Sequence, residues 1–116
     1  MSVAFNGTEN AVLTFEVGTV TAGYTVAMSA NNKVANATSG DAVVGILLNK
    51  RNGFGAVQVR GYAEVSYSGD TAPSLGFNEL VADGSGGVRL VGNTESGRAY
   101  LVVNLDTTNK IAGLFL

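Results

Sequence analysis

Apolar and polar side chains alternate through residues 55–67, and this stretch constrains the fold more than any other. Apolar residues occupy the odd positions and polar residues the even ones: Val57, Val59, Ala63, Val65 and Tyr67 against Gln58, Arg60, Glu64 and Ser66. Only an extended strand with one buried face explains this spacing. Gly61 interrupts the apolar face, as glycine does at bends and bulges that exclude larger residues. We predict a long, bent central strand whose aliphatic odd positions are buried.

Shorter alternating stretches precede the central strand. Residues 11–17 favour a half-buried strand. Residues 19–29 and 34–37 predict a hairpin around the turn at 31–33, where asparagine tolerates positive φ. Residues 43–48 are apolar at consecutive positions, so we expect both faces of that strand to be covered. A charged turn at residues 49–53 then leads into the central strand.

The second half of the chain also consists of short alternating stretches separated by turns. The glycines within residues 83–87 predict a hairpin turn between strands at 79–82 and 88–91. Residues 98–105 and 111–116 supply the last two strands. On the first of these, the predicted buried face consists of Ala99, Leu101, Val103 and Leu105.

No helical period persists for three turns, so we expect little or no helix. The predicted fold class is all-β: a small antiparallel β-barrel or sandwich of short strands. Residues 11–116 are expected to form a single β-barrel-like domain, with residues 1–10 as an N-terminal arm or edge strand anchored by Val3 and Phe5. Leu75 and Phe77, in the connecting loop, are expected to point inward.

The two halves of the chain echo each other. Residues 21–24, a hairpin, residues 39–40 and an apolar strand recur as residues 74–77, a hairpin, residues 96–97 and another apolar strand. Two explanations are open at this point. The echo reflects either a structural pseudo-repeat or the ordinary recurrence of strand and turn in small β proteins.

The composition excludes most kinds of catalytic and metal-binding site. Histidine and cysteine are absent, which excludes disulfides, the common nucleophile and base pairs, and most zinc or iron sites. Asp41, Asp70, Asp83 and Asp106 each lie in a turn beside glycine, serine or threonine, where aspartate usually accepts backbone hydrogen bonds. We therefore predict no enzyme, no cofactor and no metal site.

Charge and hydropathy also narrow the partners. The formal net charge is -2 and the basic residues are scattered, unlike the clustered lysines and arginines of a nucleic-acid footprint. No apolar run approaches the roughly 18 residues of a membrane span. Residues 1–7 lack the basic and apolar regions of a signal peptide. We expect no nucleic-acid or membrane partner and synthesis in the cytoplasm without an export signal.

Two groups of residues are candidate contacts. Arg60 and Tyr62 lie on the central strand, and both residue types are enriched at protein interfaces. Leu114, Phe115 and Leu116 end the chain. Three large apolar residues in a row need cover, either from the domain's own core or from another chain.

Glycine and valine spacings over nearly the whole chain resemble small tailed-bacteriophage capsid decoration (cement) proteins. The matching segments are residues 39–47, 55–65, 75–77, 80–84 and 99–101, followed by the hydrophobic final strand. The resemblance implies a non-enzymatic virion protein that binds the outside of an assembled shell of major capsid protein. It also implies trimers in many cases and an N-terminal segment that latches onto the shell.

Two other classes of function are left open. A small β-barrel of a phage fibre or tail that binds carbohydrate or a cell-surface receptor would share this composition. Clustering of Tyr24, Tyr62, Tyr67 and Tyr100 in one exposed groove would favour it, because sugar faces stack on aromatic rings. An enzyme that uses only carboxylates would need two of them about 5 to 9.5 Å apart in a cleft.

Overall fold

The computed structural model describes residues 10–116, which form ten β-strands and no helix. The first five are β1 (Ala11–Val17), β2 (Thr25–Ala30), β3 (Lys33–Asn36), β4 (Gly45–Arg51) and β5 (Phe54–Arg60). The last five are β6 (Tyr62–Ser66), β7 (Gly76–Ala82), β8 (Val88–Leu90), β9 (Arg98–Asp106) and β10 (Ile111–Phe115). The predicted all-β class is confirmed. Over these residues no helix is long and apolar enough to cross a bilayer. Val3 and Phe5 of the predicted arm lie outside the described residues.

Strands β1 to β5 close into a barrel in the order β1-β3-β2-β4-β5. Neighbouring strands are antiparallel except β1 and β3, which pair in parallel. This parallel pairing is short, with Glu16 opposite Lys33 and Val17 opposite Val34. The barrel is therefore closed along only part of β1.

The hairpin between β4 and β5 is tighter than the sequence predicted. Its turn is Asn52-Gly53, with φ of 54° and 82°, because a two-residue hairpin of this kind needs positive φ at both positions. Leu48 is the extra residue of a β-bulge between Leu47 and Asn49. The predicted cover of both faces is therefore wrong at Leu48, whose side chain is exposed.

Strands β6 to β10 form a second sheet in the order β6-β10-β9-β7-β8. This is the cyclic order of the barrel read in reverse, with β6 in the place of β1 and β8 in the place of β3. A parallel bridge joins Tyr67 to Val88, as Val17 joins Val34 in the barrel. The sequence echo thus corresponds to a repeated strand topology, and we call the two units the first and second repeat.

Gly61 separates the two repeats. The predicted bend in the central stretch lies at this residue, but it divides the stretch into β5 in the barrel and β6 in the second sheet. Gly61 has φ of 107°, and a Cβ there would overlap the side-chain amide of Asn10. The backbone N–H of Leu116 donates to the Gly61 carbonyl at 3.0 Å. The start of the first repeat and the end of the second therefore meet at the junction.

Two hydrophobic clusters stabilise the structure. One fills the barrel and consists of Val20, Val26, Val34, Leu47 and Val57. The other lies on the inner face of the second sheet and includes Ala63, Val65, Leu80, Ala82, Val102 and Leu114, together with Ala37, Val43 and Ile46 from the first repeat. Of the predicted buried positions in the central stretch, Val59 alone is only half-buried.

Polar contacts bind the first repeat over the second sheet. Gly40 N–H donates to the Ala82 carbonyl and Ala82 N–H to the Asp41 carbonyl, both at 2.9 Å. The Thr25 hydroxyl donates to the Gly87 carbonyl at 3.0 Å in a buried position. The first repeat thus supplies the cover for the inner face of the second.

Two predicted inward faces are wrong, although Leu105 of the second, which lies beyond a bulge, packs against the inner cluster as predicted. Leu75 and Phe77 are 66% and 75% exposed, and Phe77 belongs to β7 rather than to the connecting loop. On β9 the buried side chains are Tyr100 and Val102. Val103 is bulged between residues that pair with Leu114 and Gly113, and such an extra residue shifts the period of two.

Two glycine-to-alanine variants distinguish backbone strain from steric crowding at the Gly61 junction. Gly76→Ala is expected to cost about 1–2 kcal/mol, because its φ of 98° disfavours a side chain but nothing lies near the added Cβ. Gly61→Ala adds the collision with Asn10 and is expected to cost about 2–4 kcal/mol. Urea denaturation of both variants measures the difference, and equal losses would contradict the crowding at Gly61.

Candidate protein-interaction surface

An apolar row crosses the outer face of the second sheet. Tyr62 lies opposite Phe115, Phe115 opposite Leu101, and Leu101 opposite Phe77. Directly opposed residues share one face of a sheet, so the four side chains form one line across four strands, about 14 Å long. We call this line the outer row. It is most exposed at its Phe77 end.

Tyr62 and Phe115 order the opposite end of the row. Their rings meet edge to face, with centroids 5.8 Å apart and an interplanar angle of 66°, the geometry that aromatic quadrupoles favour. The Tyr62 ring leans over Gly113, where a Cβ would overlap the phenol. Its hydroxyl donates to Glu64 at 3.2 Å. Burial, together with the charge of Glu64, raises the pKa of the Tyr62 phenol, so this hydroxyl stays protonated at neutral pH.

The predicted contact residues divide between different surroundings. Tyr62 and Phe115 come together on the outer row. Arg60 is exposed at the end of β5, opposite Ala11. Leu114 is buried in the inner cluster, so its cover comes from the chain's own core. Leu116 is half-buried against the same cluster.

Sequence reasoning missed the other two residues of the outer row. Leu101 and Phe77 were placed on the buried side, although the alternation of β9 is equally compatible with either face. The structure places Tyr100 inward instead, and its hydroxyl donates to the Val43 carbonyl at 3.2 Å. A tyrosine so placed sets Leu101 on the opposite face.

A second surface is the open side of β1. The backbone N–H groups of Glu16 and Gly18 bond to β3 and its preceding turn, so those of Val12 and Thr14 point to the same side. Parallel pairing on that side is limited to Glu16 and Val17. Over residues 10–116, no strand pairs with the N-terminal half of β1 there. Val12 adds an exposed apolar side chain.

The carboxylates serve turns, as predicted for three of the four aspartates. Asp41 accepts from the Thr38 N–H and hydroxyl at 3.0 and 2.9 Å. Asp83 accepts from the N–H groups of Ser85 and Gly87 at 2.7 and 2.9 Å. Asp106 similarly closes the turn before β10, and these hydrogen bonds lower its pKa. Within residues 10–116 no three acidic residues cluster as a metal site would require.

The tyrosines do not form a shared exposed groove. Tyr67 and Tyr100 are buried at 6% and 3% exposure. Tyr62 belongs to the outer row, and Tyr24 packs over Gly86, where a Cβ would overlap its ring. The arrangement that would favour stacking on sugars is therefore absent among these four side chains.

A surface cleft of about 600 Å³ lies beside Arg89, between residues 68–71 and 89–93. Arg89 donates to both carboxylate oxygens of Glu95 at 2.7 and 2.8 Å and to the Ser39 hydroxyl at 3.2 Å. This bidentate pair neutralises the cation and ties the loop before β9 to the first repeat. The cleft offers no spare positive charge from Arg89 for an anionic ligand.

No protein-family model matches the sequence, and no curated protein matches it either.

The Arg89–Glu95 pair gives a pH signature. Hydrogen bonds from Arg89 and from the Gly92 N–H lower the Glu95 pKa to about 2. Because the folded pKa is depressed, the pair's contribution to stability is present at neutral pH and disappears as pH falls from about 4.5 towards 2. An NMR titration of the Glu95 side-chain carboxyl is expected to show a midpoint near 2, and Arg89→Gln should raise it. A midpoint above 4 in the unsubstituted protein would contradict the pairing.

Proposed function

We propose that the chain is a structural protein that binds the outer surface of a phage capsid and stabilises the shell. Its partner is the major capsid protein, its place is the virion surface, and it performs no catalysis. The resemblance to decoration proteins supports this proposal, as does the use of Asp41, Asp83 and Asp106 to cap turns. A homotrimer on the shell is part of the same proposal.

The observation that carries the proposal is the open side of β1. An exposed strand edge presents unpaired N–H and C=O groups that pair readily with an extended segment of another chain. Backbone pairing of this kind suits a protein with only 14% charged residues. Val12 would bury apolar area in the same contact.

Arg60 flanks the start of β1. It lies on β5 opposite Ala11 and is exposed, on the side of β1 away from the open edge, where a charged group at the periphery of a contact favours recognition. The proposed latch, residues 1–10, leads directly into β1. Latch and edge would then meet the shell along one strand, with Arg60 as a peripheral contact.

Thr14→Pro tests the edge. Proline removes the N–H that points to the open side and leaves the β5 side of the ladder intact, as edge strands tolerate. Mixed with undecorated, expanded capsids and sedimented, it is expected to bind at least about tenfold more weakly than Thr14→Ala, the matched control that keeps the N–H. Equal binding of the two variants would exclude edge pairing. Failure of the unsubstituted protein to co-sediment at micromolar concentration would overturn the function itself.

Deletion of residues 1–10 tests the latch separately. Val3 and Phe5 are its proposed anchors, so the deletion and the double variant Val3→Ser/Phe5→Ser should both reduce the bound fraction in the same assay. Circular dichroism and thermal melting provide the folding control. Unchanged capsid binding would show that the first ten residues are no latch.

A further inference from the structure

The two repeats share one topology but are covered unequally. Position-by-position comparison is anchored by the matching bulges, Leu48 in β4 and Val103 in β9. Ile46 therefore corresponds to Leu101, and Gln58, opposite Ile46, corresponds to Phe115, opposite Leu101. The outer row thus has a counterpart in the first repeat.

That counterpart is buried at three of its four positions; the fourth, Val12, lies opposite Gln58 as Tyr62 lies opposite Phe115, and it is 49% exposed. Thr25 lies opposite Ile46 and Ile46 opposite Gln58, and all three side chains are buried at 8% exposure or less. They point away from the barrel interior, and the second repeat covers them. Ile46 belongs to the inner cluster of the second sheet. In the second repeat Leu101 and the residue opposite it, Phe77, lie on the outer face, and Phe77 is 75% exposed.

On the inner faces the difference is reversed, because there the exposed side chains belong to the first repeat. Leu13 lies opposite Val57 and Met28 opposite Val34, so both face the barrel interior, yet they are 51% and 50% exposed. We call these two residues the barrel mouth.

The counterparts of the barrel mouth in the second sheet are Ala63, opposite Leu114, and Ala82, opposite Val88. Both are buried in the cluster to which the first repeat contributes Ile46. Backbone hydrogen bonds from residues 40–41 also hold Ala82. The first repeat therefore covers, in the second sheet, the residues that correspond to its own exposed Leu13 and Met28.

We propose that a second copy of this chain completes both surfaces, with the outer row of one copy seated on the barrel mouth of the next. The contact within the chain provides the precedent, because it joins the same two faces of the same topology. Apolar side chains meet on both sides, and burying a side chain such as Phe77 or Met28 is favourable. The contact is head to tail, so it leaves one free surface of each kind and either closes a ring or extends. This inference concerns the isolated protein and does not depend on capsid binding.

Light scattering coupled to size exclusion tests the association from micromolar to about 100 µM. The unsubstituted protein is expected to reach at least twice its chain mass of 11.8 kDa. Phe77→Asp and Met28→Asp should each remain monomeric. Phe54→Asp is the matched control, because Phe54 is also exposed, at 55%, but belongs to neither surface; it should associate normally. If an aspartate variant no longer melts cooperatively, Phe77→Ser or Met28→Gln is used in its place.

Mixing the two deficient variants identifies the geometry. Phe77→Asp retains a mouth and Met28→Asp retains a row, so an equimolar mixture should form a 1:1 dimer that stops at two chains. Single cysteines support the same test, since the chain has none of its own: Phe77→Cys and Met28→Cys should cross-link to each other far more than each to itself.

Three results would overturn the proposal. The unsubstituted protein stays monomeric at every concentration, Phe77→Asp associates normally, or the mixture of Phe77→Asp and Met28→Asp stays monomeric. Loss of association in Phe77→Asp but not in Met28→Asp would show row-to-row pairing instead. If deletion of residues 1–9 creates an association that the intact chain lacks, the chain's own N-terminal residues occupy the mouth and the proposal is wrong.

Discussion

Gly61 carries the backbone out of the barrel and into the second sheet at φ of 107°, in a space already occupied by Asn10. Any larger residue would meet both a conformational penalty and a collision. Because Leu116 also bonds to this residue, the junction fixes where both repeats begin and end. The packing of Ile46 and Val43 into the second sheet depends on that placement, and so does the exposure of the surfaces left over.

Local patterns predicted local structure well. The alternation around Val57 and Val65 indicated strands, and Gly61 indicated their bend. The same alternation continues on both sides of the bend, however, so it carries no information that β5 and β6 pair with different partners. The phase of β9 was mispredicted for a related reason. Its bulge at Val103 is set by pairing with Gly113 and Leu114, which no local pattern in β9 reveals.

The candidate surface was predicted only in part. Tyr62 and Phe115 were singled out as contacts, but neither their mutual packing nor the addition of Leu101 and Phe77 could be read from the sequence. The row is assembled by register across four strands that lie far apart along the chain. Exposure of Phe77 depends on which face of the sheet is covered, and that is a tertiary property rather than a local one.

Two proposed contacts follow from one repeated topology. The proposed shell contact uses the open edge of β1, where the backbone supplies the hydrogen bonds. The proposed contact between copies uses apolar side chains at the outer row and the barrel mouth. The two surfaces adjoin on β1, where Leu13 of the barrel mouth lies between Val12 and Thr14 of the edge.

The central claim is that the outer row and the barrel mouth are two halves of one contact. Methyl resonances of Leu101 and Met28, followed by NMR over a dilution series, test it most directly. We predict that both shift together with a single concentration midpoint, while methyls of the covered counterpart Ile46 do not shift. Concentration-dependent shifts at Leu101 without shifts at Met28, or none at either residue, would contradict the account.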